Sequence, residues 1–279
     1  MNPVRCPFDR ILFQTDSLMI GEFVCPSDDP RFADSGPIEN HVLVVPFQPV
    51  EIHFSRARSI VADRTRVLFY NRGTCYRRKA LNQLGDRCLW VTFDDGILEA
   101  YCGNRNKQPF GKQVDPLPLK LYLDVRNLYL RLTSGRADPL QVEVAAMEML
   151  VQLVGSPVRE QHSSTRRQRQ TVAAADAHLA RNYTKTLHLD DVAEAAACSP
   201  FHLSRLFRRL RGIGLHQHLL QLRLRDAVDR LEENNDTLTN IAMNLGFSSP
   251  SHFSNCFRNS FGVSPHRFRR ARKRIRAIS

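Results

Sequence analysis

The chain has 279 residues, 42% hydrophobic and 24% charged, the make-up of a globular protein of about two domains, and Lys+Arg outnumber Asp+Glu 40 to 28. No run approaches 18 apolar residues, so no membrane span is expected. Asp9 and Asp16 interrupt the first 20 residues, which argues against a signal peptide. The seven cysteines are odd in number and scattered, with no CxxC, which excludes a disulfide framework and a zinc ribbon and points to a reducing, cytoplasmic setting.

Short β-rich runs fill the chain to about residue 93: Ile11–Phe13, Leu18–Val24, His41–Val45, Val50–Phe54, Ser59–Ala62, Val67–Tyr70 and Cys88–Phe93. Turn residues such as Pro26-Ser27-Asp28-Asp29-Pro30 and Asn71-Arg72-Gly73 separate them. Val50, Ile52 and Phe54 alternate with Glu51, His53 and Ser55, the period of a half-buried strand. Many short strands at close spacing predict a small sandwich or barrel.

Two helices follow. Leu117, Leu121, Val125, Leu128 and Leu132 form one stripe; Leu140, Val144, Met147, Val151 and Val154 form another after Gly135 and Pro139. Each carries apolar residues off its stripe as well: Tyr122, Leu123, Tyr129 and Leu130 on the first, Val142, Met149 and Leu153 on the second. A helix apolar on two faces packs on its own domain and on a partner chain, with Leu128 and Leu132 a candidate seam, or is buried completely within one chain.

A catalytic site finds little support here. His41, His53 and Glu51 are the available metal ligands, without an HxH. Cys25, Cys75 and Cys88 are candidates for a thiol sensor, against the plain reading of free cysteines as small buried hydrophobes. His216-Gln217-His218 is an HxH without a nearby third ligand.

The charge is uneven. Residues 1–155 hold 19 Lys/Arg and 18 Asp/Glu; residues 156–279 hold 21 and 10. Clustered cations displace counterions from phosphates, so this imbalance favours a nucleic-acid-binding segment. Between the halves, Gly155-Ser156-Pro157 and the polar run from Gln161 to Gln170 read as a linker over residues 156–171.

The second half contains a repeat. Residues 199–218 and 249–268, offset by 50, are identical at Ser199/Ser249, Pro200/Pro250, His202/His252, Ser204/Ser254, Phe207/Phe257, Arg208/Arg258, Gly212/Gly262 and His216/His266. Each copy has a serine N-cap, proline at the first helical position, apolar residues at helical spacing and a stopping glycine. A shorter helix precedes each, Leu189–Ala196 and Leu238–Leu245, with paired Val192-Ala193 and Ile241-Ala242. Helix, tight turn and capped helix make a helix-turn-helix, here twice, joined by an amphipathic stretch from Leu219 to Leu231 with Leu220, Leu224, Ala227 and Leu231 inward.

Residues 172–271 resemble the DNA-binding domain of the AraC family of transcription regulators. The resemblance is carried by Ser199 to Phe207, Arg223-Leu224-Arg225-Asp226-Ala227, Ile241 to Phe247, His252-Phe253 with Phe257-Arg258, and Phe261 to Pro265. More loosely, Val67 to Gly73 and Gly85-Asp86-Arg87-Cys88 resemble the family's cupin-like sensor domain. The resemblance implies an α+β protein with a cupin-like barrel and two helices over residues 1–155, and an all-α domain with two helix-turn-helix units over 172–279. It implies a non-enzymatic, homodimeric regulator, an activator in the family's common mode, that binds double-stranded promoter DNA, meets RNA polymerase and answers to an unidentified small effector. No cofactor is expected. A DNA-associated metal-dependent cupin enzyme and gating by cysteine oxidation are the alternatives.

The outward positions of the first recognition helix are Phe201, His202, Ser204, Arg205, Arg208 and Arg209. The resemblance places base contacts on Phe201, Ser204 and Arg205; Arg205 suits guanine, and Arg208 and Arg209 suit phosphates. On the second helix the equivalents are Ser251, His252, Ser254 and Asn255, with Arg258 near phosphate. Asn255 and Pro250 stand where family members commonly carry Arg and Gln, which leaves two readings: Asn255 reads adenine, or the second unit mainly holds the backbone. The tail of Arg267, Arg269, Arg270, Arg272, Lys273, Arg274 and Arg276 reads as general phosphate attraction.

Overall fold

The computed structural model describes residues 8–55, 58–102, 108–135, 137–154, 164–233 and 236–277. The chain divides into two compact units, residues 1–160 and 161–279. Residues 155–163, the first part of the expected linker, lie outside the described residues, as do the side chains of Arg272, Arg274 and Arg276.

The first unit contains β1 (Asp9–Gln14), β2 (Leu18–Cys25), β3 (Asp34–Ser35), β4 (Val42–Pro46), β5 (Val50–Ser55), β6 (Arg58–Ala62), β7 (Arg66–Tyr70), β8 (Tyr76–Ala80), β9 (Asp86–Phe93) and β10 (Val114–Pro116), with helices α1 (Asp95–Cys102), α2 (Leu119–Thr133) and α3 (Pro139–Val154). The strands form two antiparallel sheets, in the orders β1-β2-β9-β4-β7-β10 and β3-β8-β5-β6. Of the sandwich and the barrel that the sequence allowed, the two-sheet arrangement is seen, and among the described residues neither sheet closes on itself. Cys25, Val42, Leu68 and Tyr70 of the larger sheet share one core with Val50, Ile52, Ile60 and Ala62 of the smaller. Rings occupy this space, Tyr70 stacked on Tyr76 at 4.8 Å and tilted on Phe54 at 5.7 Å, so side chains of the two sheets meet face to face. Trp90 lies directly over Gly21 of the paired strand, where a Cβ would come within 2.1 Å of the indole.

The other face of the larger sheet is buried too, through Ile20, Leu43, Val45, Leu89 and Val91. Helix α2 docks here. Tyr129 packs on Phe47 at 5.2 Å, and its hydroxyl donates to Glu22 at 2.7 Å. Arg87 and Arg10 also donate to Glu22, at 2.9 and 2.6 Å. Burial raises the Glu22 carboxyl, but these three donors more than offset it and hold the pKa below the ordinary glutamate value.

The two helices resolve differently. On α2 the whole stripe is buried within its own unit, Leu128 and Leu132 included, and so are Tyr122 and Tyr129. On α3 the core face is Val142, Ala146, Met149, Leu150 and Leu153. The stripe read first from the sequence turns outward: Leu140 is 68% exposed, Val144 47% and Val151 46%.

The second unit is helical: α4 (Arg166–Asn182), α5 (Leu189–Ala195), α6 (Pro200–Arg211), α7 (Leu215–Glu233), α8 (Leu238–Asn244), α9 (Pro250–Phe261) and α10 (Pro265–Ala277). Helix α4 begins inside the stretch expected to be linker. Thr165 accepts from the Gln168 amide while the Gln168 side chain accepts from the Thr165 amide, a capping box that starts the helix before any apolar residue appears. Val172, Ala175 and Leu179 of α4 share a core with Val192, Ala193, Leu203, Leu206, Phe207, Leu219 and Leu222. Around the second repeat copy the core is an aromatic chain: Phe247 to Phe253 at 5.1 Å, Phe253 to Phe257 at 5.8 Å, and Phe257 to Phe268 at 5.6 Å.

The copies match in detail. Ser199 and Ser249 cap their helices by accepting from the His202 and His252 amides, and Gly212 and Gly262 end them at φ +74° and +72°. The turns before them also match. After α8 the Gly246 and Phe247 amides return to the Met243 and Ala242 carbonyls; after α5 the Ala197 and Cys198 amides return to Glu194 and Ala193. The left-handed residue is Gly246 in one turn, φ +75°, and Ala197 in the other, φ +51°.

An alanine there carries about 1–2 kcal/mol of steric cost, partly offset by its smaller unfolded-state entropy. Ala197→Gly is expected to raise stability by a few tenths to about 1 kcal/mol. Gly246→Ala is expected to lower it, since a Cβ there would lie 2.7 Å from the Thr184 carbonyl oxygen. Urea unfolding of both variants checks the pair, and an Ala197→Gly protein that unfolds more easily than the parent would contradict it.

Candidate nucleic-acid interface

Helix α6 is strongly two-sided. Leu203, Leu206 and Phe207 face the core at 3% exposure or less, which turns Phe201, His202, Arg205, Arg208 and Arg209 to solvent and leaves Ser204 half-buried. All six candidate positions of the first recognition helix thus lie on its open side. Phe201 is 71% exposed, and the Arg205 guanidinium lies 5.6 Å from its ring centroid. Phenylalanine and arginine side by side, with no protein covering them, form a flat apolar plate beside a forked donor.

The base of this helix is pinned by a group the sequence reading did not single out. Asp176 of α4 has no exposed surface, and Arg211, in the last turn of α6, donates to its carboxylate. His218 of α7 is also buried. Its Nε2 lies 3.8 Å from Asp176 Oδ1, and its ring meets Phe207 edge-on at 5.5 Å. The HxH is thereby split: His218 belongs to the core, His216 is exposed, and the acid beside the first is a partner from another helix. A polar residue at a core-facing position of α4 was the available sequence signal: Asp176 sits one turn after Val172 and just before Leu179.

Helix α9 repeats the geometry with different chemistry. Phe253 and Phe257 are buried; Ser251, His252, Asn255 and Arg258 are exposed and Ser254 is half-buried. His252 is held in place, its Nδ1 3.0 Å from the Ser248 hydroxyl and its ring edge-on to Phe247 at 5.7 Å. Where α6 presents arginine at Arg205, Arg208 and Arg209, the matching positions of α9 are Asn255, Arg258 and Asn259.

The tail is not uniformly free for phosphate. Arg267, Arg270 and Lys273 are exposed, but Arg269 is half-buried, donates to the Asp236 carbonyl at 2.6 Å, and has its pKa lowered by burial. It ties α10 to the segment before α8.

The alternative sites fare differently. His41 Nδ1 lies 3.2 Å from both Asn71 Oδ1 and the Arg72 amide, and His53 Nε2 lies 3.5 Å from Glu51. Among the described residues no three His, Cys, Asp or Glu side chains cluster as a metal site. Cys25 and Cys88 are buried and Cys75 is exposed. Burial pushes the Cys88 thiol well up, away from the thiolate a sensor needs.

Residues 192–271 match the helix-turn-helix domain family. The chain is 31% identical over 88 residues to the multiple antibiotic resistance protein MarA of Escherichia coli, a match covering 32% of this chain and 69% of MarA. This chain belongs to the AraC family of transcription regulators. It is also 36% identical over 94 residues to the regulatory protein PocR of Salmonella typhimurium, covering 34% of this chain and 30% of PocR. To the bifunctional transcriptional activator/DNA repair enzyme AdaA of Bacillus subtilis it is 30% identical over 96 residues, 34% of this chain and 46% of AdaA. The chain thus spans less than half the length of PocR and AdaA. All three relatives match about a third of this AraC-family chain.

The buried acid makes a testable claim about how α6 is held. Asp176→Ala would take the carboxylate from Arg211 and His218 and leave a cavity. It is expected to cost about 3 kcal/mol or more, as removal of one partner from a buried ion pair does. Thermal unfolding reads this, and a loss below about 1 kcal/mol, the worth of a surface pair, would show the ion pair to be peripheral.

Proposed function

We propose that the protein is a sequence-specific DNA-binding transcription regulator whose first recognition helix does most of the reading. The observation that carries this is the uncovered outward face of α6, with Phe201 and Arg205 side by side among further arginines. In a helix-turn-helix the second helix enters the major groove by its N-terminal end, which places Phe201, Ser204 and Arg205 at base edges. The Phe201 ring suits a thymine methyl, and the Arg205 fork suits guanine O6 and N7. Arg208 and Arg209, a turn further on, meet phosphates, as does Arg258 on the second unit. Ser251, His252, Ser254 and Asn255 supply short neutral groups in the second groove segment, with Asn255 able to read adenine.

The rest of the reading follows the family. The DNA-binding domain is assigned to residues 172–279, extended back to include the capped start of α4, and a cupin-like sensor and dimerisation domain to residues 1–155. An effector in the first unit, contact with RNA polymerase, activation and a cytoplasmic place belong to the same proposal. The effector reading is tested by a thermal-shift screen over metabolites, because a ligand that binds the folded state raises the melting temperature.

The readout is tested by titrating variants on the duplex the protein selects from a random library and on scrambled DNA, at several salt concentrations. Arg205→Ala is expected to cost about 1–3 kcal/mol on the selected duplex and to relax preference at one base pair. Arg208→Ala is expected to weaken both duplexes alike and to lower the salt slope by about one unit. Equal losses on both DNAs for Arg205→Ala would make it a phosphate clamp.

We further propose that a homodimer forms through α3. Leu140, Val144, Met147 and Val151 recur at spacings of four, three and four, the seam of two helices packed side by side. A C2 pair covers this stripe with its own copy. Replacing Val144 and Val151 with glutamate is expected to yield folded monomers by sedimentation, whereas a folded variant that stays dimeric would remove α3 from the interface.

A further inference from the structure

One side chain in the second unit touches two segments that are far apart in sequence from it and from each other. Arg223 lies near the middle of α7, the helix that runs from the first helix-turn-helix to the second. Its Nε donates to the Tyr183 carbonyl at 2.7 Å and its Nη2 to the Lys185 carbonyl at 2.8 Å. Tyr183 is the C-cap of α4, so both acceptors lie where that helix runs out of internal donors and where its dipole favours a cation. The same guanidinium lies 5.9 Å from the ring centroid of Phe247, in the turn between α8 and α9.

The turn is shaped to admit it. Gly246 takes φ +75°, and a Cβ there would lie 2.8 Å from Arg223 Nη2 and 2.7 Å from the Thr184 carbonyl oxygen. The end of α4 and the second turn therefore close on the guanidinium from two sides. Burial lowers the Arg223 pKa, a desolvation cost that a solvent-facing arginine does not carry. A second tie lies one turn along α7: Asp226 accepts from the Tyr183 hydroxyl and from Arg230 Nε, each at 3.1 Å.

Each recognition helix is fixed to its own preceding helix by its own turn. Their placement relative to one another depends on α7 and on the groups that join it to both helix-turn-helix motifs. Helix α4 shares the core of the first helix-turn-helix, and Phe247 packs on Phe253 of the second recognition helix. Arg223 links the two. We propose that Arg223 is a positioning residue that sets the separation between the base sets read by α6 and α9, and so restricts the half-site spacing the protein accepts. A single inserted base pair moves one recognition surface along and around the duplex by about a tenth of a helical turn, which a rigid pair of helices does not follow. This rests on the DNA-binding reading above, yet makes a separate demand: specificity for distance, added to specificity for bases.

The test uses the full chain. A random duplex library is selected with the wild type to define its two sequence blocks. Affinities are then measured on that duplex, on versions with one base pair added or removed between the blocks, and on one with the second block scrambled. Wild type is expected to discriminate against the altered spacings by about tenfold or more, the scale of a mismatched base pair. Arg223→Gln is expected to reduce this discrimination to about threefold or less while binding the scrambled-block duplex as wild type does. Arg223→Lys, which keeps a cation against the same carbonyls, is expected to fall between them. Phe247→Leu, which keeps an apolar group but removes the ring, is expected to resemble Arg223→Gln and guards against a variant that fails to fold.

If folded variants retain the wild-type spacing preference, or lose affinity on every duplex in proportion, the positioning role is overturned. It is also overturned if the wild type itself ignores spacing. A wild type that enriches no duplex would instead bring down the DNA-binding reading and this inference with it.

Discussion

The buried carboxylate of Asp176 is the constraint on which the reading half of this protein depends. A charge with no exposed surface is tolerated in a folded interior only where opposite charge and hydrogen-bond donors converge on it. Here Arg211 arrives from the end of α6 and His218 from the start of α7. The requirement works in reverse as well: α6 cannot slide or rotate without drawing Arg211 away from the acid. A recognition helix must leave its outer face unpaired so that DNA can pair with it, so it must be held from behind and from its base. The apolar residues Leu203, Leu206 and Phe207 supply the attraction, and the Asp176 cluster supplies the register.

The same division recurs through the molecule. In the first unit, α2 is attracted to the larger sheet by aliphatic and aromatic burial, and Glu22, ringed by Tyr129, Arg87 and Arg10, fixes where it sits. Between the two repeat copies, Arg223 and Asp226 do for α7 what Asp176 does for α6. Apolar contact is non-directional and tolerates sliding, whereas a desolvated ion pair or a pair of helix-end carbonyls does not. Faces left without such anchors are those that look outward: Phe201 with Arg205 on α6, and the Leu140 to Val151 stripe on α3.

The two copies of the repeat show how one scaffold carries unequal chemistry. Serine caps, turn geometry, the core pair Phe207 and Phe257 and the stopping glycines are shared, so both helices are presented alike. The outward residues are shared only in part. His202, Ser204 and Arg208 recur as His252, Ser254 and Arg258, whereas Phe201, Arg205 and Arg209 give way to Ser251, Asn255 and Asn259, so the exposed ring and two of the three arginines belong to α6 alone. The first turn holds an alanine in the left-handed conformation for which the second uses glycine.

The repeat, its serine caps, its core positions and the outward set on α6 were all legible in the residues, because each is a local matter: a cap bonds three residues on, a helix face recurs every three or four, and a glycine ends a helix by its own conformational freedom. Seven strands were legible for the same reason. Strand β8 was not, since Tyr76-Arg77-Arg78-Lys79-Ala80 shows no apolar alternation; Arg78 enters the core because Asp86, on a strand of the other sheet, accepts from it at 3.0 Å. Nor was the start of α4 legible, where a capping box works without hydrophobic periodicity. Tertiary structure alone decided that the strands make two open sheets, that the stripe of α2 is buried within its own unit while the stripe of α3 faces outward, and that Asp176, His218 and Arg223 are structural. Burial is a property of what stands opposite, and for these residues the opposing group lies tens of positions away in the chain.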